Sequence, residues 1–302
     1  MTCHANWPKL QHRINGILCT LLLLFSSPTM AGGLTADKHD LETTDVEMKQ
    51  LYAPFQQLLE RHLEEKDLPG GGLVTAFDYR AALVADDTFE LLETQNRRLA
   101  AFDPDTLATR EHAVAFWLNA YNYFMIAYLL ENPRRGELVG SVRDYGSLFN
   151  PYRVFGRDAF DVGGSQYSLD EIEKEILLGD AYREKGWKEA RVHFAVNCAS
   201  VGCPPLRETI YTPPALDRVL DENTRRALLT ERHLKLDGDT LYLTRLFDWY
   251  ENDYAEEEGS VPNFIRKYAS EDLREAIEHS NRIRFIDYDW DLNEPRNFPE
   301  FD

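Results

Sequence analysis

Cysteine is nearly absent from this chain: four in 302 residues, at positions 3, 19, 198 and 203. The last two stand five apart, and no second Cys or His cluster accompanies them, so the four ligands of a structural zinc site are not assembled. Basic residues are also short, with 33 Lys and Arg against 52 Asp and Glu and a net charge of −19. A surface that acidic is repelled by nucleic acid and anionic lipid, which excludes a polynucleotide partner. No Ser/Pro/Gly linker and no internal repeat divides the body of the chain. Beyond the N-terminus no uninterrupted apolar run approaches the roughly 20 residues that a bilayer crossing requires, so a membrane-spanning protein is not expected.

What the N-terminus does hold is a charged, then apolar, then small-residue order. "MTCHANWPKLQHR" carries Lys9 and Arg13, "INGILCTLLLLF" is apolar, and "SSPTMAGG" is small. That order predicts a secretory signal peptide over residues 1–31, cleaved after Ala31. Leu18 before Cys19 is no small residue, which argues against lipid attachment. Cleavage takes two basic residues and no acid, leaving 31 against 52 and a mature charge of −21. Cys198 and Cys203 are then the only thiols. The protein is expected in the periplasm or secreted, with residues 32–42 a flexible segment and residues 43–302 one domain.

Apolar spacing predicts a helix through "TTDVEMKQLYAPFQQLLERHLEEK", stopped by "LPGGG", and two more up to Pro133. The last of these, with Asp103 as cap and Pro104 at its first position, is apolar nearly all round over residues 113–130 and should be the buried central helix. "AFDVGGSQYSL" reads as two short strands around Gly163-Gly164, and Ser168 with Glu171 as a capping box. "RVHFAVNCAS" alternates and predicts a strand with His193, Ala195 and Asn197 on one face. "TPPALDRVLDENTRRALL" is a helix and "HLKLDGDTLYLTRL" a hairpin. Helices near residues 246–256, 261–269 and 271–280 precede a final strand in "RIRFIDYDWDLN". The order indicates an α+β fold: a helix-rich N-terminal half whose buried central helix packs on a small, mostly antiparallel sheet.

Three features carry possible chemistry. Cys198 and Cys203 could form a disulfide, which two lone thiols in an oxidising compartment usually do. Either could instead be a nucleophile, provided a base makes it a thiolate. His193 is the nearest histidine, and it reaches sulfur only if the strand ends by Asn197. Asn119 and Asn122 lie on one face of the apolar helix, where each needs a partner, either the backbone of the 193–206 segment or a cleft beside it. Asp287, Asp289, Asp291 and Asn293 alternate along the tail, but the calcium-loop positions that need Gly and Glu hold Leu292 and Phe298, so a solvated acidic edge is expected. No motif calls for a cofactor or a metal.

"AFWLNAYNYFMI", "YSLDEIE", "RVHFAVNCASVGCPPL", "DWYENDY" and "YDWDLN" together resemble the family catalogued as domain of unknown function 547, with a core over about residues 114–229. A more distant likeness is to papain-like and transglutaminase-like folds, where a helix supplies the cysteine and a following strand the histidine. On that likeness His193 is the histidine, but the helix holds Asn119 and Asn122 in place of cysteine. Two expectations follow. One is an exported binding or envelope-associated protein with a Cys198–Cys203 disulfide, whose partner would be a small molecule, a peptide or an envelope component. The other is a thiol hydrolase or acyl-transferase using Cys198 or Cys203, His193 as base and Asn119 or Asn122 to orient it.

Overall fold

One helix buries every residue from 113 to 130, and the fold is arranged around it. The computed structural model describes residues 38–280 and 282–302; the signal sequence expected over residues 1–31 lies outside them.

The chain enters through α1 (Lys38–Leu51) and α2 (Ala53–His62), where the spacing had predicted one helix. Pro54 is the reason for the break, because it has no N–H to continue the ladder across Tyr52. α1 also begins inside the segment expected to be flexible. "LEEK", expected as the end of that helix, is instead strand β1 (Leu63–Asp67), paired antiparallel with β2 (Leu73–Phe77). Helices α3 (Tyr79–Val84) and α4 (Thr88–Ala100) follow. Asp103 caps only a short 3-10 turn, Pro104–Thr106. The central helix α5 (Arg110–Glu131) starts anew at Thr109, whose side chain accepts from the His112 N–H, and stops before Pro133. At 22 residues α5 is long and apolar enough to cross a membrane, contrary to the expectation that no such segment exists, but its apolar stretch is wholly enclosed by the fold.

Strands β3 (Phe160–Val162) and β4 (Ser165–Tyr167) turn at Gly163 and Gly164, with φ of +61° and +79°. A two-residue turn of this kind needs positive φ at both positions. The Ser168 hydroxyl then accepts from the Glu171 N–H at 3.1 Å, and the helix it opens, Glu171–Leu177, is of the wide π type. After α6 (Asp180–Glu184) comes the segment expected as a strand. It is a 3-10 turn, Ala190–Phe194, followed by irregular chain. Side-chain amides take the place of a strand partner there. Asn122 donates to the Ala195 carbonyl and accepts from the Asn197 N–H, and Asn223 donates to the Phe194 carbonyl.

Helix α7 (Leu216–Leu228) leads to the hairpin β5 (Leu234–Asp237) and β6 (Thr240–Leu243). Helices α8 (Leu246–Trp249), α9 (Glu251–Glu258), α10 (Val261–Tyr268) and α11 (Glu271–His279) intervene before β7 (Arg282–Phe285), which pairs parallel with β6. The architecture is α+β as expected, with its strands divided among two two-stranded sheets and one three-stranded sheet.

Two apolar clusters meet at the 190–196 segment. Val192, Ala195 and Val196 enter the cluster around α5, while Ala190 and Phe194 enter the cluster of Phe247, Tyr254 and Phe264. His193 lies between them, which is how a polar ring comes to be 1% exposed.

Candidate functional site

At that junction opens a cleft of about 380 Å³. The π helix supplies Asp170, Glu173 and Lys174 from its start, α5 supplies Tyr121, and the turn supplies His193. Trp249 and Tyr250 come from the end of α8, and Tyr288 and Trp290 from the chain after β7. The aromatic residues form a continuous wall. Tyr288 and Trp290 lie 4.6 Å apart between ring centroids, Trp249 lies 4.9 Å from Tyr288, and Tyr152 lies 5.1 Å from Trp290.

His193 is held by two side chains. Its ring stacks on Tyr250 at 3.9 Å, and Nε2 meets the Asp253 carboxylate at 2.9 Å. Asp253 also receives Lys188 at 2.7 Å. Burial raises the Asp253 pKa, but the hydrogen bonds from His193 and Lys188 outweigh it and hold the carboxyl down at about 2. The pairing makes Nε2–H the donor to Asp253, and Nδ1 is left buried without a hydrogen-bond partner, 3.9 Å from Glu173 Oε1. Glu173 is itself buried, at 6% exposure. Its charge is felt by the phenols around it: burial first and then the Glu173 carboxylate push Tyr121, Tyr250 and Tyr288 above the ordinary tyrosine range.

Cys198 and Cys203 are joined by a disulfide, with alpha-carbons 6.1 Å apart, and the bridge forms part of the cleft wall. The Tyr288 hydroxyl lies 3.1 Å from one sulfur and 3.2 Å from the other. The loop is fastened to the tail by Val201 and Gly202 N–H groups donating to Asp291 and Asp289 carbonyls, and by Asn293 N–H donating to Ala199. Ala199 has φ of +59°, a conformation unusual for a residue with a side chain, and its N–H donates to Asn197 Oδ1 at 2.9 Å.

The residues singled out in the sequence thus separate. His193, Cys198 and Cys203 share the cleft, but the sulfurs are bonded to each other, and His193 spends its Nε2 on Asp253. Asn119 does not orient the imidazole. It is bonded to the Tyr211 backbone in both directions, at 2.7 and 2.8 Å, and so not to the 193–206 segment; Asn122 is the amide bonded there. The alternating tail is not simply a solvated edge either. Asn293 is 1% exposed, accepting from the Tyr79 hydroxyl and donating to Asn197.

Sequence reasoning missed Glu173, Asp253 and the aromatic wall. The signal for the wall was present in "YDWD". Side chains on extended chain alternate, so the face opposite the aspartates holds Tyr288 and Trp290. Glu173 and Asp253 lie within two of the quoted motifs, "YSLDEIE" and "DWYENDY", but nothing in those motifs set them apart from the other acids.

Fold and site together define an α+β protein with an aromatic cleft floored by a buried acid and a histidine–aspartate pair. Residues 104–227 match the model of a family described as "Protein of unknown function, DUF547", and over that stretch the chain resembles this family. The match spans Tyr121, Glu173, His193 and both cleft cysteines; Trp249, Tyr250, Asp253, Tyr288 and Trp290 lie beyond it. No curated protein and no solved structure matches the chain, so the likeness to papain-like or transglutaminase-like folds gains no support. The thiol-hydrolase alternative gains none either.

Proposed function

We propose that the protein is exported and that its cleft binds a small organic ligand with at least one flat or apolar face. The observation that carries the reading is the cleft itself: about 380 Å³, walled by aromatic rings, with two buried polar side chains, Glu173 and His193, at its base. A mostly apolar concavity with a few fixed polar groups is the usual form of a small-molecule site. A binding role fits better than acyl transfer because the two sulfurs are bonded to each other and His193 spends its Nε2 on Asp253. Export is supported by the residue order of Met1–Ala31 and by a disulfide, which persists in oxidising compartments.

Two measurements test this. The N-terminus of the cell-exported protein, read by mass spectrometry, should begin at or near Gly32; an intact Met1 in the exported fraction, or retention in the cytoplasm, would defeat export. A panel of sugars, amino acids, amines and aromatic acids, screened by calorimetry against the purified protein, should yield ligands whose binding is lost on Trp290→Ala. If no class in the panel binds, or binding survives that change, the cleft is not the site.

A further inference from the structure

Glu173 is a buried carboxylate with no Lys or Arg paired to it among the described residues. A buried carboxylate is costly unless a cation or several donors meet it. Among the described residues its one ionic neighbour is His193, whose Nδ1 lies 3.9 Å away, beyond hydrogen-bond reach, and the Tyr250 hydroxyl is a single neutral donor to it. The imidazole is committed through Nε2 to Asp253, which already carries Lys188. Lys174, the nearest lysine in sequence on the cleft wall, is paired with Asp170 at 2.5 Å. Glu173 thus lines the cleft with one phenol and no ammonium or guanidinium on its carboxylate, among phenol and indole rings.

We infer that the cleft is a receptor for an organic ammonium group, seated over Glu173 and against the π faces of Tyr250, Tyr288 and Trp249. The inference rests on the proposal that the cleft binds small molecules and names their chemistry. Aromatic faces attract cations through the ring quadrupole, most strongly when the site is desolvated. The outer rings already behave in this way, since the Arg143 guanidinium lies 5.9 Å from the Tyr152 centroid and 5.8 Å from that of Trp290. An anionic ligand would meet Glu173 and a chain of net charge −19. A bare metal ion fits poorly, because hard cations need six or so oxygen ligands, and no group of three or more His, Cys, Asp or Glu side chains is gathered for one among the described residues. An alkylated or primary ammonium with an apolar neighbour satisfies the carboxylate and the rings together.

The test uses the mature full-length protein with its disulfide intact, titrated by calorimetry with choline and with its uncharged tert-butyl isostere, in which carbon replaces nitrogen. Choline should bind about tenfold or more tightly than the isostere. Glu173→Gln, which keeps shape and removes charge, should abolish that preference, so that the two probes bind the variant with equal affinity. The comparison of the two probes on the unaltered protein stands even if the variant folds poorly. Equal affinity for choline and isostere overturns the ammonium assignment, as does binding of neutral panel ligands with none for choline; the small-molecule reading then survives alone. Failure of every probe and panel ligand overturns both.

Discussion

Asn119 and Asn122 are indistinguishable in the sequence, two amides three apart on an apolar helix, yet the fold gives them different backbones to hold. Asn119 completes both hydrogen bonds of Tyr211, and Asn122 does the same for Ala195 and Asn197 beside the cleft. Replacing Asn119 by Leu leaves a buried N–H and carbonyl unpaired, so the expected loss is about 1–3 kcal/mol in denaturant unfolding. A variant as stable as wild type would show that Tyr211 finds other partners. Asp253 offers a second residue-scale prediction, with a pH signature. Its folded pKa of about 2 is below the unfolded value, so the stability it supplies is full above the ordinary carboxylate range and disappears as pH falls toward 2. Asp253→Asn should therefore lower stability by on the order of 1–2 kcal/mol near neutral pH, with the difference from wild type shrinking below about pH 4. A pH-independent difference would mean that the loss is steric. That both asparagines must be bonded was legible in the sequence; which backbone each would meet was not, because Tyr211 is 92 residues from Asn119.

Among the elements, periodicity and turn chemistry located helices and hairpins but not their starts, as Asp103 and Pro104 show, and segments decided by tertiary partners were misread. α5 announced itself through its apolar run, the Gly163–Gly164 and Gly238 hairpins through turn chemistry, and α7 through its spacing. The 190–197 segment alternates like a strand but has no strand to pair with. Asn122 and Asn223 satisfy its backbone, and three-residue turns let it feed two cores at once. β2 was missed for the opposite reason: it is buried throughout, so it lacks the alternation that marks a half-exposed strand. The loop 198–203 belongs to this scale as well. Its disulfide closes a ring of about six residues, worth about 2 kcal/mol in the chain-entropy account. The double variant Cys198→Ser with Cys203→Ser should lose about that much stability and, by freeing Tyr288 from two sulfur contacts, weaken ligand binding in the cleft. An unchanged unfolding midpoint for the variant, or two titratable thiols in the exported wild-type protein, would rule out this role for the bridge.

For the whole molecule, lowering the pH sets two effects against each other. The chain carries a net charge of −19, and acidification relieves self-repulsion, which favours the compact state. Against this, two buried histidines, His62 and His233, and the half-buried His112 resist protonation. Burial first, and Arg232 second, lower His233 to about 3, and burial likewise lowers His62 and His112. Each has a folded pKa below its unfolded value of about 6.5, so the unfolded chain takes up protons first. The stability they represent is complete above about pH 6.5 and is lost as pH falls, for His233 down to about 3. Surface repulsion is screened within about 8 Å at physiological salt, whereas a fully buried imidazole is not, so the histidines should win. We expect stability to fall between about pH 7 and 5 by roughly 1.4 kcal/mol per pH unit for each proton that the unfolded chain gains, before most carboxylates titrate. His233→Leu, which packs against Phe194 without a titrating group, should flatten that slope by up to one proton. Denaturant unfolding in moderate salt at several pH values reads the slope directly. A stability that rises on acidification, or a His233→Leu slope equal to that of wild type, would show that charge relief governs the acid response and that His233 does not.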